Sequence, residues 1–209
     1  MIQGEGDNVA SKEKPYHRED LRGDLLRAGR AYIAEHGHHS LSVRTLAQTV
    51  GVSPGAPYHH FRDRRSLLLA LAVDGYTELT NAAKEATVCG DPKERLIRMG
   101  MQFVDFATAN PQLLELMYES ELTSPGPDPE LVPYQDMGHE GLVKPVREAL
   151  QGYSEEEIEV RVLALWSAIY GFASLRRKHM IQKVEPRQLG RNEVTRKVVA
   201  LAVQTALGD

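Results

Sequence analysis

Residues 42–61, SVRTLAQTVGVSPGAPYHHF, decide how the N-terminal part of this chain folds. Ser42 is a residue type that caps helices, and it stands directly before apolar residues at helical spacing. Gly51 ends that stretch at a point where a left-handed turn favours a residue without a Cβ atom. Ser53 and Pro54 then supply the cap and the first residue of a second helix. The pattern predicts a helix-turn-helix, a unit that places its second helix in the major groove of DNA.

The segment from about His17 to Leu71 resembles the DNA-binding domain of the TetR family of bacterial repressors. The residues that carry the resemblance are Leu46-Ala47, Gly51-Val52-Ser53, Tyr58-His59-His60-Phe61 and the run from Arg64 to Leu68. The resemblance implies an all-α fold. In such a fold an N-terminal three-helix helix-turn-helix DNA-binding domain precedes a C-terminal helical bundle that binds ligand and forms a dimer.

The composition of the 209 residues favours helices and excludes several classes of protein. Hydrophobic residues make up 42%, which is enough for a core, whereas aromatic residues make up only 6% and Ala and Leu are frequent. Cys89 is the only cysteine, so an intrachain disulfide cannot form. No apolar run is expected to reach the length of a membrane span or a secretory signal. We therefore expect a cytoplasmic protein without a membrane partner.

Charge is unevenly distributed along the chain, whose formal net charge is -4. Residues 18–69 contain eight Lys and Arg against five Asp and Glu, and residues 70–209 contain fifteen against twenty-one. Six of the eight histidines also precede residue 70. A weakly basic N-terminal part and an acidic remainder fit a DNA-reading unit attached to a regulatory unit, although solvated helix faces produce similar imbalances.

Start and stop signals divide the chain into three parts. Residues 1–17 are polar and are expected to form a mobile tail. Residues 18–68 are expected to form the helix-turn-helix domain, and residues 69–209 the helical ligand-binding and dimerisation domain. The predicted helices run over residues 18–36, from near residue 63 towards residue 87, and from starts near residues 92, 111, 129, 154 and 192.

The second helix of the motif is the expected DNA-reading element. Small or rigid residues at its start permit close approach to bases and contact with thymine methyl groups. Polar ring residues follow that can hydrogen-bond to phosphate or to base edges. The candidate DNA-contacting residues in this helix are Pro54, Gly55, Ala56, Pro57, Tyr58, His59 and His60. Pro57 lacks the N–H of the first intrahelical hydrogen bond, so the helix is expected to begin irregularly.

Two arginines join the predicted DNA interface through the family resemblance. Arg44 aligns with a position that carries a base-contacting arginine in some family members, and a guanidinium suits a bidentate contact with guanine. Arg64 aligns with the family's usual phosphate-gripping lysine. Phe61 is expected to pack inside the motif. The predicted partner is double-stranded operator DNA.

Bulky residues along the middle helices suggest a pocket for a small molecule. Methionine and aromatic side chains suit apolar walls, although core packing is the alternative for each of them. The candidate ligand-binding residues are Met99, Phe103, Phe106, Met117, Tyr118, Met137, His139, Trp166 and Tyr170. Residues 166–171, WSAIYG, resemble the Trp-x-x-x-His-Gly signature of one TetR-type C-terminal domain, with Tyr170 in place of the histidine.

Apolar residues near the C-terminus alternate in steps of four and three, which is the spacing of a helix that packs against other helices. The candidate dimer-interface residues are Ile158, Val162, Leu165, Ile169, Phe172, Val194, Val198, Leu201 and Thr205. Burial inside one chain is the alternative for these positions. The family resemblance implies a homodimer in which the last two helices of each chain pair into a four-helix bundle.

A histidine cluster is the one feature that suggests a metal site. His36, His38 and His39 lie close in sequence, but the segment crosses a helix end and no Asp or Cys cluster accompanies it. No nucleophile stands beside an evident base, and no phosphate-binding glycine motif occurs. The sequence therefore predicts a protein that is not an enzyme, with no metal ligand and no cofactor.

Together these features predict a dimeric transcriptional repressor. The repressor binds a palindromic operator and leaves it when a small apolar or amphipathic ligand, not identifiable from the sequence, occupies the C-terminal domain. The alternative is a helical small-molecule-binding protein without operator function.

Overall fold

The structure is a computed structural model that describes residues 20–86, 90–186 and 188–208, without the side chains of residues 82–86. Its helices are α1 (Leu21–His36), α2 (Val43–Val50), α3 (Arg64–Ala86), α4 (Pro92–Ala109), α5 (Pro111–Tyr118), α6 (Val132–Ala149), α7 (Glu155–Arg177) and α8 (Arg191–Leu207). A 3₁₀ turn covers Ala56–His59. These ranges contain no strand, so the predicted all-α fold is confirmed. The tail predicted for residues 1–17 lies outside the described residues.

Side-chain caps start most helices where the sequence predicts them. The Ser42 hydroxyl accepts a hydrogen bond from the Thr45 N–H at 3.0 Å, and the Ser154 hydroxyl caps α7 in the same way. The predicted starts near residues 92, 111, 154 and 192 lie within one residue of the observed ones. The start predicted near residue 129 is three residues early, because Asp128 accepts from the Glu130 N–H in a separate turn before α6.

The three N-terminal elements form a small unit, here called the head (residues 20–61). Gly51 ends α2 with φ of 75°, and this left-handed conformation confirms the turn predicted from the sequence. Gly29 lets α1 approach α3 closely, since a Cβ atom there would lie 3.1 Å from the Leu71 side chain. The buried side chains Leu25, Leu46 and Leu71 join the head to the same core as the rest of the chain.

The remaining helices form a bundle, here called the body (residues 90–208), with α4 at its centre. Helix α4 packs against α3, α6, α7 and α8. Gly100 permits the close approach of α8, because a Cβ atom there would lie 2.6 Å from Val199 Cγ1. Helix α3 runs from the head into the body, so the domain boundary proposed between residues 68 and 69 lies inside one continuous helix.

Helix α7 corrects one expectation about hydrophobicity. It is 23 residues long and contains a window with a mean hydropathy of 1.4, so by length and composition alone it could cross a membrane. The sequence expectation that no apolar run reaches this length was therefore wrong. The helix is apolar on two sides: one side packs inside the chain, and the other is exposed.

Candidate DNA-binding surface and ligand cavity

The helix-turn-helix places a strip of unpartnered side chains on the surface of the head. The Tyr58 side chain is 51% exposed, and Arg44, His59 and His60 are exposed beside the turn. Arg44, Tyr58 and His59 make no hydrogen bond or ion pair with any described residue. Pro54 and Gly55 are also exposed. The surface therefore offers a guanidinium, a phenol and imidazoles to an external partner.

The predicted second helix is shorter than expected. It consists of the single 3₁₀ turn Ala56–His59, because Pro57 has no N–H for an α-helical hydrogen bond. The Pro57 carbonyl accepts instead from the N–H groups of His60 and Phe61, both at 2.9 Å. Pro57 itself is buried and Ala56 is half-buried. The prediction that Pro57 contacts DNA is therefore wrong in this arrangement, while Phe61 is buried as expected.

Arg64 holds the head together instead of facing solvent. Its Nε donates to the Leu41 carbonyl at 3.0 Å, and its Nη2 donates to the His38 and His39 carbonyls at 2.9 and 3.2 Å. Its Nη1 pairs with Glu121 of the body. These bonds occupy all three guanidinium nitrogens, so the predicted phosphate contact from Arg64 does not fit this structure. Its observed role is to fix the loop between α1 and α2.

A cavity of about 360 Å³ lies between α3, α4, α6 and α7 and is lined largely by aromatic rings. Phe103 and Trp166 pack edge to face with ring centroids 4.7 Å apart, and Tyr118 lies 6.2 Å from Trp166. Tyr76 and Tyr134 stack at 6.0 Å on the opposite wall. Such rings give large apolar contact area with polar tips.

The polar groups of the cavity wall are few and carry no permanent charge. Gln102 Oε1 is buried without a hydrogen-bond partner among the described residues. The Tyr76 hydroxyl donates to the Met117 carbonyl at 3.0 Å and lies 3.4 Å from Gln135 Nε2. Burial raises the pKa of Tyr76, so its hydroxyl stays protonated. His139 Nε2 lies 3.0 Å from a carboxylate oxygen of Glu159. No Asp, Glu, Lys or Arg of the described chain lines the cavity.

Five of the nine residues predicted to bind ligand line this cavity, namely Met99, Phe103, Tyr118, His139 and Trp166. The other four lie elsewhere. Phe106 is buried in the core, Met117 is fully buried beside Gly75, and Met137 is 43% exposed on the outer side of α6. These three predictions are wrong because helical spacing alone does not tell a cavity wall from core or surface.

Tyr170 lies next to the cavity wall but points away from the cavity. Its ring is 5.7 Å from that of Trp166, and its hydroxyl donates to Glu119 Oε1 at 3.0 Å. Burial and the neighbouring carboxylate raise the pKa of Tyr170 to about 12. Hydrogen bonds from Tyr170 and Arg177 outweigh burial and lower the pKa of Glu119. The cavity residues that sequence reasoning missed, such as Tyr76, Gln102 and Tyr134, come from helices whose facing sides only the packing reveals.

The apolar face predicted to join two chains is mostly inside the chain. Ile158, Val162, Leu165 and Ile169 are at most 2% exposed, and Val194 is 6% exposed, because α7 packs against α4 and α8. Phe172 is half-buried under the Arg176 guanidinium. These six interface assignments are wrong, and the alternative of burial inside one chain holds.

A different side of α7 and one side of α8 remain exposed and apolar. Val160 and Leu163 of α7 are 58% and 64% exposed, and Leu175 is 40% exposed. On α8, Leu201 is 64% exposed, Thr205 is exposed and Val198 is half-buried. These six residues, here called the outer face, include three positions of the predicted interface.

Two sequence profiles match the chain over the regions just described. "Bacterial regulatory proteins, tetR family" matches residues 25–71, and "Tetracyclin repressor-like, C-terminal domain" matches residues 96–197. Together they cover most of the head and the body. The chain is a member of the TetR family. Its head is the part that this family profile describes as regulatory.

Curated relatives of this TetR-family chain match mainly through the head. The chain is 41% identical over 64 residues to the HTH-type transcriptional repressor AcnR of Corynebacterium diphtheriae, covering 31% of this chain and 34% of that one. It is 29% identical over 106 residues to the HTH-type transcriptional regulator Rv1816 of Mycobacterium tuberculosis, covering 49% and 45%. The chain thus spans between a third and a half of the length of these relatives.

Solved structures resemble this TetR-family chain over nearly its whole length. A protein of unknown function from Rhodococcus sp. RHA1 is 31% identical with a TM-score of 0.78, covering 94% of this chain and 98% of that one. The TetR family transcriptional regulator PfmR from Thermus thermophilus is 19% identical with a TM-score of 0.61, covering 86% and 95%. At that identity, the second match concerns the fold alone.

Proposed function

We propose that this protein is a DNA-binding transcriptional regulator that acts as a repressor. The observation that carries the proposal is the exposed strip of Arg44, Tyr58 and His59, which has no partner within the described chain. Arg44 reads a base edge and Tyr58 binds phosphate, which is the usual division between specific and positioning contacts. Family membership and the similarity of the head to named repressors support this assignment.

The outer face supports the assembly of two chains into a homodimer. Soluble proteins rarely leave several large apolar side chains exposed together, and such a patch marks an interface. Val160, Leu163 and Leu201 lie on the last two helices, where a two-fold related copy can cover them with the same residues. The dimer then presents two heads to two half-sites of a near-palindromic operator.

The cavity is the proposed effector site, and its wall indicates the effector's chemistry. Its volume suits a small organic molecule. The wall holds no permanent charge to pair with an ionised ligand, and an unpaired buried charge is costly. The effector is therefore an uncharged aromatic or amphipathic molecule that stacks between Phe103, Trp166 and Tyr134 and donates a hydrogen bond to Gln102.

A short segment after α5 connects the cavity to the head. Glu119 accepts the hydrogen bond from Tyr170, which packs on the cavity wall, and Glu121 pairs with Arg64 at the start of α3. A ligand that displaces Trp166 and Tyr170 moves this segment and so changes the position of the head. Effector binding thereby selects a head spacing that no longer fits the operator.

Fluorescence anisotropy with DNA from upstream of the protein's own gene tests this function. We expect saturable binding that exceeds binding to random DNA at the same salt concentration, and footprints at half-sites about 34 Å or a multiple apart. Binding without sequence preference would contradict the proposal. If apolar compounds quench Trp166, the single tryptophan, while no DNA sequence is preferred, the chain is instead a ligand-binding protein without operator function.

A further inference from the structure

The junction between head and body contains a histidine whose polar atoms have no partner. His38 lies in the loop between α1 and α2 and is 0% exposed. Neither ring nitrogen makes a hydrogen bond with any described residue. Buried polar atoms are nearly always satisfied, so a pair of unsatisfied ring nitrogens indicates a missing ligand.

Three further donor groups surround this histidine. The His38 Nε2 atom lies 3.7 Å from Glu121 Oε2, and the His39 Nε2 atom lies 3.9 Å from Glu115 Oε1. The ligand atoms of His38, His39 and Glu115 lie within 4.8 Å of one another. Around a tetrahedral zinc ion with bonds of about 2.0–2.1 Å, neighbouring ligand atoms are about 3.3 Å apart. Small side-chain rotations therefore bring this set to bonding distance.

Two arginines orient the carboxylates so that one oxygen of each remains available. Arg177 donates to Glu115 Oε2 at 3.4 Å, which leaves Oε1 on the side of His39. Arg64 pairs with Glu121 Oε1, which leaves Oε2 on the side of His38. The arginines also balance the negative charge of the two glutamates. The oxygens that face the histidines are thus free to bind a cation.

We propose that His38, His39 and Glu115 bind a divalent transition-metal ion, with Glu121 as the fourth ligand. Two imidazoles with carboxylate oxygens suit Zn²⁺, whereas Mg²⁺ and Ca²⁺ prefer oxygen ligands alone. This departs from the sequence-based expectation of no metal, which found no acidic residue near the histidines. The fold supplies those residues from α5 and the loop that follows it.

The position of the site gives the metal a structural role. His38 and His39 belong to the head, whereas Glu115 and Glu121 belong to the body. A bound ion joins the two units at the loop that Arg64 also fixes. Because metal binding stabilises only the folded arrangement that presents all its ligands, the ion raises the thermal stability of the chain.

Zinc titration of the full chain without a histidine tag tests the proposal. The Cys89→Ser background removes the only thiol, and competition with a chromophoric chelator reports the affinity. We expect one Zn²⁺ per chain and a rise in the melting temperature on adding Zn²⁺. Tetrahedral coordination also gives Co²⁺ a strong visible absorption. Both His39→Gln and Glu115→Gln weaken zinc binding by at least about tenfold, the smaller loss seen when mere supporting residues are removed.

Matched controls separate this site from surface histidines. The double variant His59→Gln/His60→Gln removes two adjacent exposed histidines of the head and keeps zinc binding unchanged. Circular dichroism checks that the His39 and Glu115 variants fold, and His38→Phe provides a third variant that fills the buried position. Failure of the wild-type chain to bind Zn²⁺ saturably overturns the proposal. Folded His39 and Glu115 variants that bind Zn²⁺ as tightly as the wild type also overturn it.

Discussion

The DNA-reading strip and the cavity wall are built in opposite ways. The strip takes Arg44, Tyr58 and His59 from a short stretch of the chain and leaves them exposed without partners. The cavity wall takes rings such as Phe103 and Trp166 from separate helices and packs them against one another. A contiguous exposed strip can change without disturbing the fold, whereas each cavity residue also supports the core. The two regions should therefore respond separately to substitution, with stability as the main difference.

The largest expected effect is the loss of operator binding with an intact cavity. Leu163→Glu places a carboxylate in the proposed dimer interface, and two-fold symmetry places it there twice. We expect a folded monomer whose operator affinity falls by at least about 10³-fold, towards nonspecific binding. Sedimentation and anisotropy measure the two properties, and ligand quenching of Trp166 persists.

Leu165→Glu is the matched control on the same helix. Leu165 is 1% exposed inside the chain, so its replacement by a charged residue disrupts the core and both binding activities. If Leu163→Glu remains a dimer, or if Leu165→Glu is a stable monomer, the assignment of the two sides of α7 is reversed.

The second effect is confined to the reading strip. Arg44→Ala and Tyr58→Ala are each expected to cost about 1–3 kcal/mol in operator binding, with reduced base preference only for Arg44. Neither changes the melting temperature, because neither side chain has a partner in the described chain. Anisotropy at fixed salt with operator and base-substituted DNA measures both. Tyr153→Ala, which removes another exposed tyrosine far along the chain, serves as the control. Unchanged operator affinity in both variants would remove the strip from the interface.

The third effect concerns stability at the cavity. Gln102→Leu replaces an unpartnered buried amide with an apolar side chain of similar size, which should stabilise the fold by about 1 kcal/mol. Effectors that donate a hydrogen bond to Gln102 then bind more weakly, while operator affinity without effector stays the same. Thermal denaturation and Trp166 fluorescence report the two quantities. A loss of stability in Gln102→Leu would mean that the amide has a partner in solution, such as water.

How far the sequence predicts this molecule follows the same division. The helices and the left-handed Gly51 follow from local capping and turn preferences, so they could be predicted. The cavity and the inward side of α7 depend on which helices meet, so helical spacing placed Met137 and Leu165 wrongly. Arg64 shows the limit of alignment, because its guanidinium is bound by loop carbonyls and by Glu121, a residue far away in sequence.

The smallest expected effect tests whether the two regions communicate. Tyr170→Phe removes the hydrogen bond to Glu119 but keeps the ring beside Trp166. Arg177 and Lys178 still bind Glu119, so the change in stability is at most about 1 kcal/mol. Effector affinity for the free protein should stay nearly constant because the hydroxyl points away from the cavity. The ratio of operator affinities with and without effector should nevertheless fall, since the proposed connection between the cavity and Glu121 is weakened. Anisotropy titrations at saturating effector measure this ratio, with Tyr134→Phe as the control for loss of a cavity hydroxyl. An unchanged ratio in Tyr170→Phe would mean that the head responds to the cavity through α3 itself and not through the segment after α5.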